Sequence, residues 1–125
     1  MPIEIVELNH VNVRVPASRE AEAKHFYASV LGLTEVPKPA ESKGRGGAWY
    51  QIGDTQLHLS RDDRPDNQIG KQHICYLVTD LAEAERQLSN SGVEIIPDDM
   101  PVQGWQRFYV RDPGGNLIEL AQGLN

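Results

Sequence analysis

The order of the predicted elements repeats once along the chain, and this repeat limits the fold more than any other feature. Each half reads as a strand, a helix and three further strands. Equivalent residues recur at similar offsets, because His73 follows His10 by 63 residues and Glu119 follows His58 by 61. A helix that covers one face of a four-stranded sheet leaves the other face free. The sequence therefore predicts an α+β fold of two tandem βαβββ modules, which form a curved, cup-like mixed sheet with the helices on its outer face.

The first module is predicted over about residues 5–62. Leu8–Val15 alternates apolar and polar residues, as a half-buried strand does. Ser18 is a suitable helix N-cap, the apolar residues from there to Leu31 have helical spacing, and Gly32 is a typical helix stop. The other predicted elements are a strand at Leu33–Val36, a loop at Pro37–Gly47, and hairpin strands at Ala48–Ile52 and Gln56–Ser60.

The second module is predicted over about residues 70–122, after a linker at Arg61–Gly70. Asp80, with Glu83 three residues later, is predicted to begin a helix in the manner of a capping box. Strands are predicted at Lys71–Thr79, Val93–Ile96, Trp105–Val110 and Asn116–Ala121, with a loop at Asp98–Gln103 and a turn at Asp112-Pro113-Gly114-Gly115. Both modules together are predicted to make one domain over residues 1–125.

Composition narrows the class of protein. A formal net charge of −6 gives no electrostatic support for a nucleic-acid partner. The sequence has no apolar run near the roughly 20 residues that span a bilayer, and Met1–Glu4 lacks the pattern of a signal peptide. A single cysteine excludes an intrachain disulfide. We therefore expect a cytoplasmic protein with no membrane or nucleic-acid partner.

Four potential metal ligands lie on strand positions that face away from aliphatic neighbours. They are His10, His58, His73 and Glu119. Glu119 lies in an otherwise aliphatic strand, and burial of its carboxylate is costly unless a positive charge lies opposite it. Three imidazoles and a carboxylate suit a divalent ion such as Zn, Ni, Mn, Co or Fe. Four protein ligands leave two positions of a six-coordinate ion open, whereas His10, His73 and Glu119 alone leave three, as in a two-His, one-carboxylate site.

Several further residues are candidates for contact with a substrate. Arg14 and Arg107 suit a carboxylate or phosphate group, and solvated surface positions are the alternative. Trp105 and Tyr109 share a strand face with Arg107, and Trp49 offers an apolar wall or an interface contact. Cys75 is expected to be a small buried core residue rather than a nucleophile.

Four segments carry a resemblance to a known family: Leu8-Asn9-His10-Val11, Phe26-Tyr27 with Leu31-Gly32-Leu33, His73-Ile74, and Asp112 through Leu120. With them, the chain resembles single-domain members of the vicinal oxygen chelate superfamily, which includes glyoxalase I, fosfomycin-resistance proteins, extradiol dioxygenases and bleomycin-resistance proteins. The resemblance implies that His10, His73 and Glu119 bind the metal. Glyoxalase I has a carboxylate where this chain has His58. The resemblance also implies a homodimer whose sites lie near or across the subunit interface.

The expected function follows from this ligand set. We expect a divalent-metal-dependent glyoxalase-like enzyme, of lyase or isomerase type, which chelates vicinal oxygens of a small substrate and stabilises an enediolate or oxyanion. The resemblance to glyoxalase I suggests Glu119 as the catalytic base. The alternatives are an Fe(II) extradiol-type dioxygenase, a metal-free drug-binding protein of the bleomycin-resistance kind, and a fosfomycin-type thiol transferase.

Overall fold

The protein contains two compact units, Met1–Asp63 and Arg64–Asn125, each built on its own open four-stranded mixed sheet. This computed structural model describes residues 2–64 and 70–124, so part of the predicted linker lies outside the described residues. The two-module α+β arrangement predicted from the repeat is confirmed. None of the helices in the described ranges has both the length and the apolarity to cross a lipid bilayer.

The first unit orders its strands β1-β4-β3-β2, with β1 parallel to β4 and the other neighbours antiparallel. Its core is formed by large apolar side chains that the sheet and the helical segment bury, including Val15, Tyr27, Tyr50 and Leu57. The elements are β1 (His10–Val15), α1 (Glu20–His25), β2 (Thr34–Val36), β3 (Ala48–Ile52) and β4 (Thr55–Arg61).

The helical segment of the first unit differs from the predicted single helix. A 3-10 turn at Ala17–Arg19 precedes α1, and a π-helical turn at Phe26–Val30 follows it. The Ser18 cap is wrong: the Arg19 N–H donates to the Pro16 carbonyl, so Ser18 lies inside the entry turn. The predicted stop is confirmed, because Gly32 has φ of 73°.

The predicted loop at 37–47 contains a 3-10 helix at Ala40–Arg45. The Ser42 N–H and hydroxyl both donate to the Pro39 carbonyl, and these local bonds form the turn. Gly47 follows with φ of 75°, and a Cβ there would lie 2.0 Å from the Leu59 carbonyl oxygen. Only glycine therefore fits where this segment returns against β4.

The second unit repeats the arrangement in the order β5-β8-β7-β6, with β5 parallel to β8. Its elements are β5 (His73–Leu77), α2 (Leu81–Asn90), β6 (Ile96–Pro97), β7 (Trp105–Arg111) and β8 (Leu117–Gly123). The predicted Asp80 cap is confirmed, since its side chain accepts a hydrogen bond from the Glu83 N–H at 3.0 Å.

The short strand predicted at Val93–Ile96 is wrong in its bounds, because pairing is limited to β6. The Val93 N–H donates to the Leu88 carbonyl at 3.0 Å, and Gly92 has φ of 80°. Val93 thus completes the C-terminal end of α2 and is not available to the sheet.

The turn before β8 is organised by one buried side chain. Asp112 Oδ1 accepts hydrogen bonds from the Gly114 N–H at 2.9 Å and the Asn116 N–H at 2.8 Å, and its Oδ2 accepts from the Asn116 side chain at 2.8 Å. Gly115 supplies the positive φ. The turn predicted from sequence is present, and it sets the register that directs Ile118 and Leu120 into the core.

Replacing Asp112 with alanine is expected to lower the free energy of unfolding by about 2–4 kcal/mol, because a buried carboxylate with several hydrogen bonds is lost. Asp54 is exposed in the equivalent turn of the first unit, and its alanine variant is expected to lie within about 0.5 kcal/mol of wild type. Urea unfolding followed by circular dichroism measures both variants. Equal losses of stability would contradict the role assigned to Asp112.

Candidate functional site

Two predicted ligands meet in the second unit, where His73 on β5 and Glu119 on β8 lie on one face of neighbouring parallel strands. His73 Nε2 lies 2.9 Å from Glu119 Oε1. The other ring nitrogen, Nδ1, lies 2.7 Å from the Lys71 carbonyl oxygen. Because a carbonyl oxygen only accepts hydrogen bonds, Nδ1 is the donor and the ring is oriented with Nε2 toward the carboxylate.

This pair has the donor chemistry of a metal site. Two ligand atoms bound at about 2.1 Å and at right angles to each other are about 3.0 Å apart, close to the observed separation of His73 Nε2 and Glu119 Oε1. A second hydrogen-bond partner that fixes the tautomer of a ligating histidine is typical of metal sites. The imidazole and carboxylate therefore fit a divalent ion of the Zn, Mn or Fe type.

Arg107 lies beside the carboxylate of Glu119 on the side away from His73. Its Nη1 is 3.7 Å from Glu119 Oε2, its Nε donates to Asp98 at 2.9 Å, and its Nη2 donates to the Met100 carbonyl at 2.7 Å. The hydrogen bond from Arg107 lowers the pKa of Asp98 below its ordinary value. Arg107, which was predicted to bind substrate, is thus held by the 98–100 segment and lies beside Glu119, and its role in substrate binding stays a prediction.

The remaining candidates in the second unit lie on β7. The Tyr109 ring packs edge-on against His73, with a centroid distance of 5.6 Å. Trp105 is exposed at the start of β7. A pocket of about 510 Å³ brings Trp105 and Arg107 together with apolar side chains of α2 and β7, among them Leu81 and Phe108. This volume lies within the range of small-molecule sites, but His73 and Glu119 do not line this pocket.

The expectation that Cys75 is buried is wrong. β5 is an edge strand, and the face that holds His73 and Cys75 is exposed, whereas Ile74 and Tyr76 turn the other way. In the pairing of β5 with β8, Cys75 lies opposite Glu119. Local desolvation of the thiol, with Glu119 beside it, raises the pKa of Cys75 to about 11.

In the first unit, His10, His58 and Trp49 form a continuous stack across β1, β4 and β3. The His58 ring lies 3.9 Å from the Trp49 ring at 2° and 4.2 Å from the His10 ring at 16°. Burial, followed by the charges of His10 and Lys38, lowers the pKa of His58 below its ordinary value. His58 is therefore a neutral ring near pH 7.

Hydrogen bonds fix both imidazoles of this stack. His10 Nδ1 lies 2.8 Å from Asn9 Oδ1, which leaves its Nε2 as the available lone pair. His58 Nε2 lies 2.9 Å from Gln56 Oε1. Arg14 forms an ion pair with Asp62 at 3.6 Å, and its predicted contact with a substrate stays a prediction. Within the described residues, neither unit by itself gathers three histidine, cysteine or acidic side chains in a group suited to a metal ion.

Sequence reasoning missed several supporting residues of the site. Asn9 precedes His10, and Gln56 lies two positions before His58 on the same strand face, so adjacency and alternation were the available signals. The Lys71 carbonyl and Asp98 gave no comparable signal, because their contacts depend on how the chain turns outside the strands.

Comparison with known proteins identifies the superfamily to which the chain belongs. A family model described as the Glyoxalase/Bleomycin resistance protein/Dioxygenase superfamily matches residues 7–120. The chain therefore belongs to this superfamily, which confirms the resemblance inferred from sequence.

Individual relatives agree with this class. A glyoxalase family protein from Bacillus anthracis is 35% identical, with a TM-score of 0.87 over 99% of this chain and 100% of that one. Lactoylglutathione lyase from Agrobacterium tumefaciens has the same fold, at 20% identity and a TM-score of 0.74 over 96% of each chain. Glyoxalase domain-containing protein RDO1 from Mycosarcoma maydis is 27% identical over an alignment of 89 residues, and the match covers 62% of this chain and 51% of that protein. The match thus spans about half the length of the fungal relative.

The single cysteine allows a direct test of the site's electrostatics. Cys75 is expected to react with iodoacetamide at pH 8 roughly 10- to 100-fold more slowly than free cysteine, because its raised pKa leaves little thiolate. The Glu119→Gln variant should react faster, since the neighbouring negative charge is removed. Glu85→Gln, at an exposed position on α2, is the matched control and should leave the rate unchanged. A wild-type rate equal to that of free cysteine would contradict the described environment.

Proposed function

We propose that the protein is a divalent-metal-dependent enzyme of glyoxalase type, a lyase or isomerase that acts on a small substrate with neighbouring oxygens. The observation that carries the proposal is the contact of 2.9 Å between His73 Nε2 and Glu119 Oε1, with His73 Nδ1 held by a backbone carbonyl. Membership of the superfamily supports the same conclusion.

The proposed ligands are His10, His73 and Glu119. In His10 and in His73, a neighbouring oxygen accepts a hydrogen bond from Nδ1, so Nε2 is the nitrogen available to bind an ion. Three protein ligands leave room on a six-coordinate ion for two substrate oxygens. The ion is one of Zn, Ni, Mn, Co or Fe.

When bound, the ion would stabilise negative charge that develops on the substrate oxygens. The chain's own residues would hold and move the proton. Glu119 is the proposed base, because its Oε1 faces His73 while its Oε2 remains for a substrate proton. Arg107, fixed by Asp98, would keep that oxygen in place. Tyr109 would limit the movement of the His73 ring by packing against its edge.

The proposal includes a homodimer and a cytoplasmic location. Ile3, Ile5 and Val6 are each more than 80% exposed, and several exposed apolar side chains close together in sequence are typical of an interface between proteins. A second copy of the chain would cover them.

A metal-free binding protein for a planar drug is the second candidate function. The observation that favours it is the flat stack of Trp49, His58 and His10, which offers an aromatic surface without any ion. The two candidates differ in a single measurable property, the metal content of the purified protein.

Elemental analysis of the untagged protein is expected to find about one divalent ion per chain, either as purified or after addition of the metal. His73→Ala and Glu119→Gln should lose the ion, because each removes one donor of the proposed set. His25→Ala, at an exposed position on α1, is the matched control and should keep it.

The identity of the ion also ranks the reactions. Zinc, nickel, cobalt or manganese would support the lyase or isomerase proposal, whereas iron would favour a dioxygenase. A wild-type protein that holds no metal and takes up none would overturn the proposed enzyme and leave drug binding ahead.

A further inference from the structure

His58 occupies the strand position at which the sequence predicted a fourth metal ligand, but both faces of its ring are covered. The Trp49 ring lies parallel to it on one side at 3.9 Å, and the His10 ring lies on the other at 4.2 Å. The side chain is buried, with 8% of the residue's surface exposed. The ring therefore fills the middle of an aromatic stack and does not project freely from the sheet.

The stacked arrangement prevents His58 and His10 from binding the same metal ion. A metal ion lies in the plane of each imidazole that binds it, along the nitrogen lone pair. Two rings stacked at 16° with centroids 4.2 Å apart have nearly parallel planes, so one ion cannot lie in both. In this arrangement, His58 cannot join His10 as a ligand of the same ion.

A series of hydrogen bonds also determines which ring nitrogen of His58 carries the proton. The Gln51 amide nitrogen donates to the Gly53 carbonyl at 2.8 Å, which leaves Gln51 Oε1 to accept from the Gln56 amide nitrogen at 3.1 Å. Gln56 Oε1 then faces His58 Nε2 at 2.9 Å, so Nε2 is the donor. Nε2 of His58 therefore carries a hydrogen and has no lone pair that could bind a metal.

We propose that His58 is a positioning residue for His10. In this arrangement the Trp49 ring packs on one face of the His58 ring, the His10 imidazole packs on the other face, and Gln56 accepts a hydrogen bond from the ring edge. Asn9 fixes the rotation of His10 through Nδ1, so stacking and hydrogen bonding together direct Nε2 of His10. This inference rests on the proposed function and sharpens it, since it assigns three protein ligands to the ion and a supporting role to the fourth predicted residue.

The test compares three variants of His58 in the full chain. His58→Phe keeps the stack but removes both nitrogens, His58→Gln keeps a polar side chain without a ring, and His58→Ala keeps neither. Cobalt(II) is the probe, with its stoichiometry and Kd measured by titration and its ligand set followed by the visible absorption spectrum. A thermal melt of each variant shows that it is folded.

We expect His58→Phe to bind one cobalt per chain, with a Kd within about threefold of wild type and an unchanged spectrum. His58→Ala and His58→Gln should bind roughly 2- to 12-fold more weakly, which corresponds to the loss of one aromatic stacking contact. If His58→Phe loses the metal, or its spectrum changes as that of His10→Ala does, then His58 is a ligand and the inference is overturned. Equal affinities of all three variants with wild type would also overturn it.

A second measurement separates this inference from the proposed function. In the metal-free protein, NMR relaxation of the His10 ring should show greater motion in His58→Ala and His58→Gln than in His58→Phe and wild type. If the wild-type protein takes up no cobalt, the proposed function fails, but this measurement still decides the positioning role. Equal mobility of the His10 ring in all four proteins would overturn it.

Discussion

A carboxylate buried within an aliphatic strand is the constraint on which the second unit depends. Glu119 lies between Ile118 and Leu120 on β8 and is 8% exposed, so its charge needs partners. The imidazole of His73 lies 2.9 Å from its Oε1, and the guanidinium of Arg107 lies 3.7 Å from its Oε2. The same contacts that make the burial tolerable also place a nitrogen and an oxygen at the spacing of two metal ligands. Stability and proposed chemistry thus rest on one arrangement.

The two units use a common device to orient a histidine. An oxygen from a neighbouring residue holds Nδ1, supplied by the Asn9 side chain for His10 and by the Lys71 backbone for His73. Each ring then meets a second aromatic side chain, His58 by stacking and Tyr109 by its edge. The equivalent residues His10 and His73 are therefore both held at Nδ1, but by different contacts. The two units differ more at the equivalent positions of His58 and Glu119, because His58 lies within an aromatic stack and Glu119 lies within an ionic network.

Much of the fold could be predicted because alternation and repeat spacing are properties of the sequence itself. The strand parity of His10, His58 and Glu119 could be predicted in this way, and so could the Asp80 cap. Predictions failed where a local hydrogen bond competed with the periodic pattern, as at Ser18 after Pro16 and at Val93 after α2. The stacking of Trp49 on His58 could not be predicted from the sequence, because it depends on strand register and on the rotamers of two side chains.

In the proposed metal site, Nε2 of His10 and of His73 would bind the ion while Nδ1 of each ring keeps its proton. Long-range ¹H–¹⁵N correlation of the imidazole rings during titration with zinc tests this assignment. We expect the Nε2 resonances of both rings to move to values of a metal-bound nitrogen, while both Nδ1 resonances remain those of a protonated nitrogen. Unchanged Nε2 resonances at saturating zinc, or coordination through Nδ1, would contradict it.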